Sequence, residues 1–193
     1  MVAASTARKI ATAARRLLEK EGAEAVSMRR VAEAVGVTAM AIYRHYPDRA
    51  ALLNAVADEG FEELATILAN KRFSGGFEER LAKMADVYLD HALNHPALYD
   101  LMFLAKREGA RRYPRDFKAG RSPTFNPTVQ VLEEGMDGGH FAKDDALAIT
   151  FEMSALSHGL ILLYLGGRID ATPARFRTLY RNSFRRYFRG IRS

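Results

Sequence analysis

Apolar positions along this chain recur at three- and four-residue spacing, the period of a helix buried on one side. Ile10, Ala13, Ala14, Leu17 and Leu18 make the first stripe, and Gly22 predicts its end. Ser27 is placed to cap a helix that turns Met28, Val31, Ala32 and Val35 inward and stops at Gly36. Thr38 predicts the start of a very short helix reaching His45, with Ile42 and Tyr46 inward. Asp48 predicts the start of a long one through Leu52, Leu53, Val56 and Phe61 towards Lys71. The stretch Phe-Ser-Gly-Gly from Phe73 breaks the pattern.

Beyond the break, Phe77, Leu81, Met84, Tyr88 and Ala92 predict a helix to His95, and a shorter one follows Pro96. Arg107 to Pro123, charged and punctuated by glycine and proline, reads as a long irregular connection. Asn126 with Pro127 behind it predicts the next helix start. Asp144 to Leu165 and Pro173 to Ile191 are the last two. No sustained apolar–polar alternation and no hairpin signal appears, so the expected fold class is all-α.

Charge sharpens this picture. The chain has 193 residues, a net charge of +6 and 48% hydrophobic residues, enough for a real core. Residues 1–57 hold nine basic side chains against five acidic ones, and Pro173 to Ser193 adds seven arginines and no acid. The stretch between is net acidic. That distribution suits a polyanionic partner at the N-terminal end. With no cysteine there is neither a disulfide nor a thiolate metal site. The N-terminus lacks the apolar core of a signal peptide, and the longest apolar run, Gly159 to Gly167, is too short to span a bilayer. A soluble cytoplasmic protein without a membrane partner is expected.

The capped helix, the turn at Gly36-Val37 and the short second helix form a helix-turn-helix, in which the first helix braces and the second enters the major groove of DNA. The stretch from Ile10 to Val56 resembles the tetracycline-repressor (TetR) family of transcription regulators. The residues carrying the likeness are Ile10, Ala13-Ala14, Gly22, Ser27, Val31-Ala32, Gly36-Val37, Ile42-Tyr43, His45 and Leu52-Leu53. Tyr46 stands where phenylalanine is commoner, and Arg49 where lysine is usual. The resemblance implies that Ser27 or Met28 presents backbone amides to a phosphate. It implies that Thr38, Ala39, Met40 and Arg44 face base edges, and that Tyr43, His45 and Arg49 face phosphates. Among the base-facing residues, Ala39 and Met40 donate no side-chain hydrogen bond, so direct reading rests on Arg44, Thr38 and contact with thymine methyls.

The same resemblance implies a helix-turn-helix domain over 1–50, a connecting helix over 51–72, and a ligand-binding and dimerisation domain over 73–193. Stretches at His95 to Phe103 and Ser157 to Gly167 are similar to a subgroup with a Trp…His-Gly signature, Ser154 standing in the tryptophan's place. Independently, Thr150, Ser154, Ser157 and His158 make a polar stripe on an apolar helix. Such hydroxyls either bond carbonyls one turn back or face a ligand. With Met84, Tyr88, His91, Tyr99, Met102, Phe103 and Phe125 they predict a largely apolar cavity with a few polar anchors.

His91 and His95, four apart, have no acidic or cysteine cluster beside them, so no metal and no cofactor is expected. Arg181, Arg185, Arg189 and Arg192 are expected opposite an aromatic face of Phe176, Tyr180, Phe184, Tyr187 and Ile191, in water or against a partner subunit. The function expected is a homodimeric, ligand-responsive repressor that binds a near-palindromic double-stranded DNA operator and is released by a small-molecule inducer. The alternatives are a non-specific architectural DNA binder led by the arginine helix, or an all-helical enzyme using His158 with Ser154 or Ser157. No motif for a hydrolase elbow or a phosphate loop supports the enzyme.

Overall fold

A computed structural model describes residues 5–193, which form helices and turns without a strand among the described residues. Ten α-helices follow in order: α1 (Thr6–Glu21), α2 (Met28–Val35), α3 (Ala39–Tyr43), α4 (Arg49–Asn70), α5 (Phe77–Asn94), α6 (Pro96–Phe103), α7 (Arg115–Lys118), α8 (Asn126–Asp137), α9 (Ala146–Leu165) and α10 (Pro173–Gly190). Most boundaries follow the predicted caps. The Ser27 hydroxyl accepts from the Arg30 amide, the Thr38 hydroxyl from the Ala41 amide, and the Asp48 carboxylate from the Ala51 amide. At α8 the cap differs. The helix begins at Asn126, one residue earlier than predicted, and the Asn126 side-chain amide donates to the Gly120 carbonyl instead of capping.

The chain divides into two compact units, and the boundary runs through α4. The first holds the residues up to Glu63 together with Asn94–Ala110. Its core is Ile10, Ala11, Ala14 and Leu18 of α1, Val31 and Ala32 of α2, Ile42 of α3, and Leu52, Val56 and Ala57 of α4. Helix α6, expected within a ligand-binding domain over 73–193, packs on α1 in this unit. Gly60 permits that packing on the α4 side, since a Cβ there would lie 2.6 Å from the Met102 sulfur. Arg107 clamps the end of α6, donating to the carbonyls of Leu101 and Met102 and to the Asn54 side chain.

The second unit holds Leu64–Leu93 and Arg111–Ser193. Phe176, Tyr180, Phe184 and Phe188 of α10 are buried in it. Phe188 continues the four-residue step where the sequence pattern placed Tyr187, whose hydroxyl bonds Glu152 at 2.6 Å instead. The irregular stretch before α8 contains one short helix. There buried Asp116 accepts from the Arg112 amide and pairs with Arg115 and Arg121. Rings of Tyr113 and Phe117 from this stretch pack on Phe151 of α9.

The arginine face of α10 is only partly left to water, Arg185 and Arg189 staying exposed while others are paired within the chain. Arg181 binds Asp86 through both of its oxygens, Arg177 pairs with Asp86 and Asp90, and Arg192 pairs with Glu78. These partners lie on the acidic α5, so part of the C-terminal positive charge is matched within one unit.

The left-handed turn at Gly36 (φ 77°, ψ 34°) sets the direction of α3. Its amide and that of Val37 both bond the Ala32 carbonyl. A side chain at that φ costs about 1–2 kcal/mol, and asparagine tolerates it best. Gly36→Ala is expected to lose about that much unfolding free energy in urea denaturation, with Gly36→Asn losing less.

Candidate functional site

A five-residue helix holds itself poorly, and α3 is fixed from outside. Ile42 is its one fully buried side chain, and it anchors the helix to the first unit's core. The remaining surface of the helix and its end is left outward. Thr38, Met40, Tyr43, Arg44 and His45 are exposed, Met40 by 67% and Tyr43 by 49% of their surface, and Ala39 is half-buried. The helix ends at Tyr43, two residues short of the predicted His45, so Arg44 and His45 occupy the closing turn. A short rod that offers a cation, a phenol, an imidazole and a thioether on one surface can enter a groove of DNA.

At α2 the Met28 side chain is buried, and the expectation there concerned only backbone amides of the first turn. One expected contact residue behaves differently. Arg49 turns inward: its Nε donates to the Val26 carbonyl at 2.7 Å and its Nη2 to the Ala23 carbonyl at 2.6 Å. The guanidinium fork spans the two carbonyls, that of Ala23 also accepting the Val26 amide. Arg49 is therefore a brace under α2, corrected from an outward phosphate contact. Tyr46, the other departure from the family pattern, gains a bond from its hydroxyl to the Ala7 carbonyl at 3.2 Å, which ties the start of α1.

The second unit contains a cavity of about 30 Å3 between α5, α8, α9 and α10. Met84, Tyr88, Phe125, Thr150, Ser154, Ser157 and His158 line it, as the sequence pattern predicts. Leu81, Ala85, Thr128, Met153 and Phe184 complete the wall. Of these, Leu81 and Phe184 already stood on the apolar stripes of their helices. Thr128 carried no such signal.

Four residues expected at the cavity are elsewhere. Tyr99, Met102 and Phe103 belong to α6 in the first unit, where Phe103 meets the rings of Tyr99 and Phe61 at 4.8 and 5.1 Å. They pack with α1 and do not line this cavity. His91 is buried on α5 but does not line the wall. His95 bonds Glu19 at 2.9 Å, and among the described residues no cluster of three histidine or acidic side chains is placed to hold a metal.

The polar stripe of α9 is bonded internally. The Thr150 hydroxyl donates to the Ala146 carbonyl and that of Ser154 to the Thr150 carbonyl, one turn back in each case. Ser157 lies 2.6 Å from the Tyr180 hydroxyl, which itself bonds the Ala85 carbonyl at 3.0 Å. A carbonyl only accepts, so Tyr180 gives its hydrogen to Ala85 and Ser157 gives its own to Tyr180. That relay joins α9, α10 and α5. The Tyr88 hydroxyl donates to the Thr124 carbonyl, and burial pushes its pKa up to about 12. Burial lowers His158 to about 4, so its imidazole is neutral at pH 7.

Comparison with known proteins gives matches to both the N-terminal and the C-terminal part of the chain. Residues 10–56 match the model described as bacterial regulatory proteins, tetR family, and residues 81–187 match the tetracyclin repressor-like C-terminal domain. The second match alone covers more than half of the chain. The chain belongs to the TetR family. Like other members, it is a transcriptional regulator with an N-terminal helix-turn-helix and a helical C-terminal domain.

It is 23% identical over 154 residues to an HTH-type transcriptional regulator of Mycobacterium tuberculosis, over 79% of this chain and 67% of that protein. A protein of unknown function from Rhodococcus sp. RHA1 superposes with a TM-score of 0.79 at 30% identity, covering 98% of this chain and 96% of that one. A TetR variant from Acinetobacter baumannii, solved with minocycline, superposes with a TM-score of 0.67 at 20% identity, covering 94% and 93%. Its sequence is distant enough that only the fold is shared.

The His158 shift makes a prediction with a definite sign. Its folded-state pKa lies below the ordinary 6.5, so between about 6.5 and 4 the unfolded chain binds more protons than the folded one. The stability present above pH 6.5 is lost progressively as pH falls through that window, by roughly 3 kcal/mol in all. Urea unfolding at a series of pH values is expected to show His158→Gln gaining on the native chain as pH drops from 6.5 to 4.

Proposed function

We propose that this regulator is a repressor that acts in the cytoplasm as a homodimer, binds a near-palindromic operator and is released by a small-molecule inducer. One observation carries the DNA reading: α3 buries Ile42 alone and leaves Thr38, Met40, Tyr43, Arg44 and His45 outward. Arg44 reads base edges, Thr38 and Met40 add polar and methyl contacts, and Tyr43 and His45 hold phosphates. The amides behind Ser27 add a phosphate contact at the start of α2. A two-fold dimer presents two such helices to successive major grooves.

The dimer reading is supported by the composition of α9. Its most apolar 18-residue window has a mean hydropathy of 1.6, yet only 33% of that window is buried within the chain. By length and composition this helix would also cross a membrane, although the longest unbroken apolar run in the sequence is short. Leu162, Leu163 and Leu165 of α9 and Leu179 of α10 stay exposed, between 36% and 49% of their surface. Burying such a patch against its own copy satisfies it in water.

Neither alternative is favoured. For an architectural DNA binder led by the C-terminal arginines, Arg177, Arg181 and Arg192 are already paired with Asp86, Asp90 and Glu78. An enzyme would need Ser154 or Ser157 aimed at His158, and their hydroxyl hydrogens go to Thr150 and Tyr180. The inducer reading draws on the cavity, on the C-terminal family match, and on minocycline in the Acinetobacter relative.

Selection from random duplex DNA at physiological salt is expected to return a near-palindromic consensus; retention without any consensus would reject specific reading. Against that consensus, Arg44→Ala is expected to cost about 1–3 kcal/mol and to relax one or two positions per half-site. Equal weakening on all sequences would make Arg44 a phosphate contact instead. In sedimentation, Leu163→Glu is expected to shift the protein from dimer to monomer.

A further inference from the structure

The cavity of the second unit has a chemical polarity that its residue types alone do not reveal. No lysine, arginine, aspartate or glutamate lines it. Five lining residues carry hydroxyls: Tyr88, Thr128, Thr150, Ser154 and Ser157. Four of these have their hydrogens assigned to the protein itself. Tyr88 donates to Thr124, Thr150 to Ala146, Ser154 to Thr150, and Ser157 to Tyr180. A hydroxyl that donates its one hydrogen has only lone pairs left to offer. The Thr128 hydroxyl and the one N–H of neutral His158 excepted, the polar part of the wall therefore consists of acceptor oxygens, set among Leu81, Met84, Met153 and Phe184.

We propose that this cavity takes an uncharged, compact and largely apolar ligand that brings its own hydrogen-bond donor, an alcohol or a phenol. This rests on the reading of the cavity as the inducer site. A carboxylate is rejected because desolvating it there would be compensated neither by a cation nor by the committed hydroxyls. A ketone or ether of the same shape sets lone pair against lone pair at the four committed hydroxyls and leaves their oxygens without a donor. Neutral His158 adds no charge to oppose this. The cavity at about 30 Å3 has room for one or two waters, so a ligand enters by displacing flexible side chains. Met84 and Met153 are suited to such adjustment. The donor requirement then selects among small apolar molecules that size alone would admit.

The test is calorimetric titration of the full chain at pH 7.5 with phenol, with anisole, which is phenol's methyl ether, and with benzoate. Phenol keeps its proton at that pH. The expected result is that phenol binds about tenfold more tightly than anisole, the size of one hydrogen bond, and that benzoate does not bind. Ser154→Ala is expected to shrink the phenol preference, whereas Ser154→Leu fills the cavity and abolishes binding of both neutral probes. Circular dichroism of each variant checks that it folds.

Anisole or benzoate binding as tightly as phenol, in a manner sensitive to Ser154→Leu, would overturn the donor requirement and leave the ligand cavity standing. Binding of phenol that Ser154→Leu leaves untouched would place it outside this cavity and overturn the proposal. No binding of any probe at about 10 mM, where even so small a ligand should register in a fitted site, would overturn the proposal and the inducer-site reading together.

Discussion

The constraint on which the DNA-reading end depends is the shortness of α3. Five residues form too few internal hydrogen bonds to offset the ordering of their own backbone. The helix is held at three points instead: the Thr38 cap, the left-handed turn at Gly36, and Ile42 in the core. Spending only Ile42 on the core leaves Met40 and Tyr43 of the helix exposed. A longer amphipathic helix would need a wider buried stripe and would present a smaller outward share. The bracing is passed to α2 and the turn before it, where Arg49 and Arg30 bond carbonyls of the first unit.

The second unit solves a different problem, which is to keep hydroxyls inside an apolar wall without leaving them unpaired. Two of them bond one turn back along α9, and a third passes its hydrogen through Tyr180 to α5. The bond from Tyr180 costs little flexibility because that ring is already buried in α10. What this leaves is a wall whose oxygens accept and whose charges are absent. The acidic side chains of α5 lie on another face, paired with the arginines of α10. Polarity and charge are thus separated on the two sides of one helix.

Much of the fold was legible from the sequence because its determinants are local. Caps at Ser27, Thr38 and Asp48, the stops at Gly22 and Gly36, and the three-and-four spacing of apolar residues act within a few positions of themselves. On α3 the periodicity placed Ile42 inward, and the family resemblance named the outward residues. In the cavity, the stripe at Thr150, Ser154, Ser157 and His158 was visible because it lies on one helix. The boundary choice at Asn126 was misread because its amide satisfies the Gly120 carbonyl, a partner six residues away across a turn.

The sequence alone thus determined the order and ends of most helices, the helix-turn-helix and the family resemblance. Tertiary structure decided where equally apolar side chains go. Tyr99, Met102 and Phe103 have the composition of cavity residues, yet the bare backbone at Gly60 lets α6 seat on α4 in the first unit. Arg49 has the chemistry of a phosphate ligand, and two carbonyls more than twenty residues away take it. Arg177 and Arg181 of α10 look like part of a polyanion surface until α5 brings its aspartates alongside. In each case the residue type permits several partners. Proximity between segments far apart in the chain chooses among them, and no local pattern encodes it.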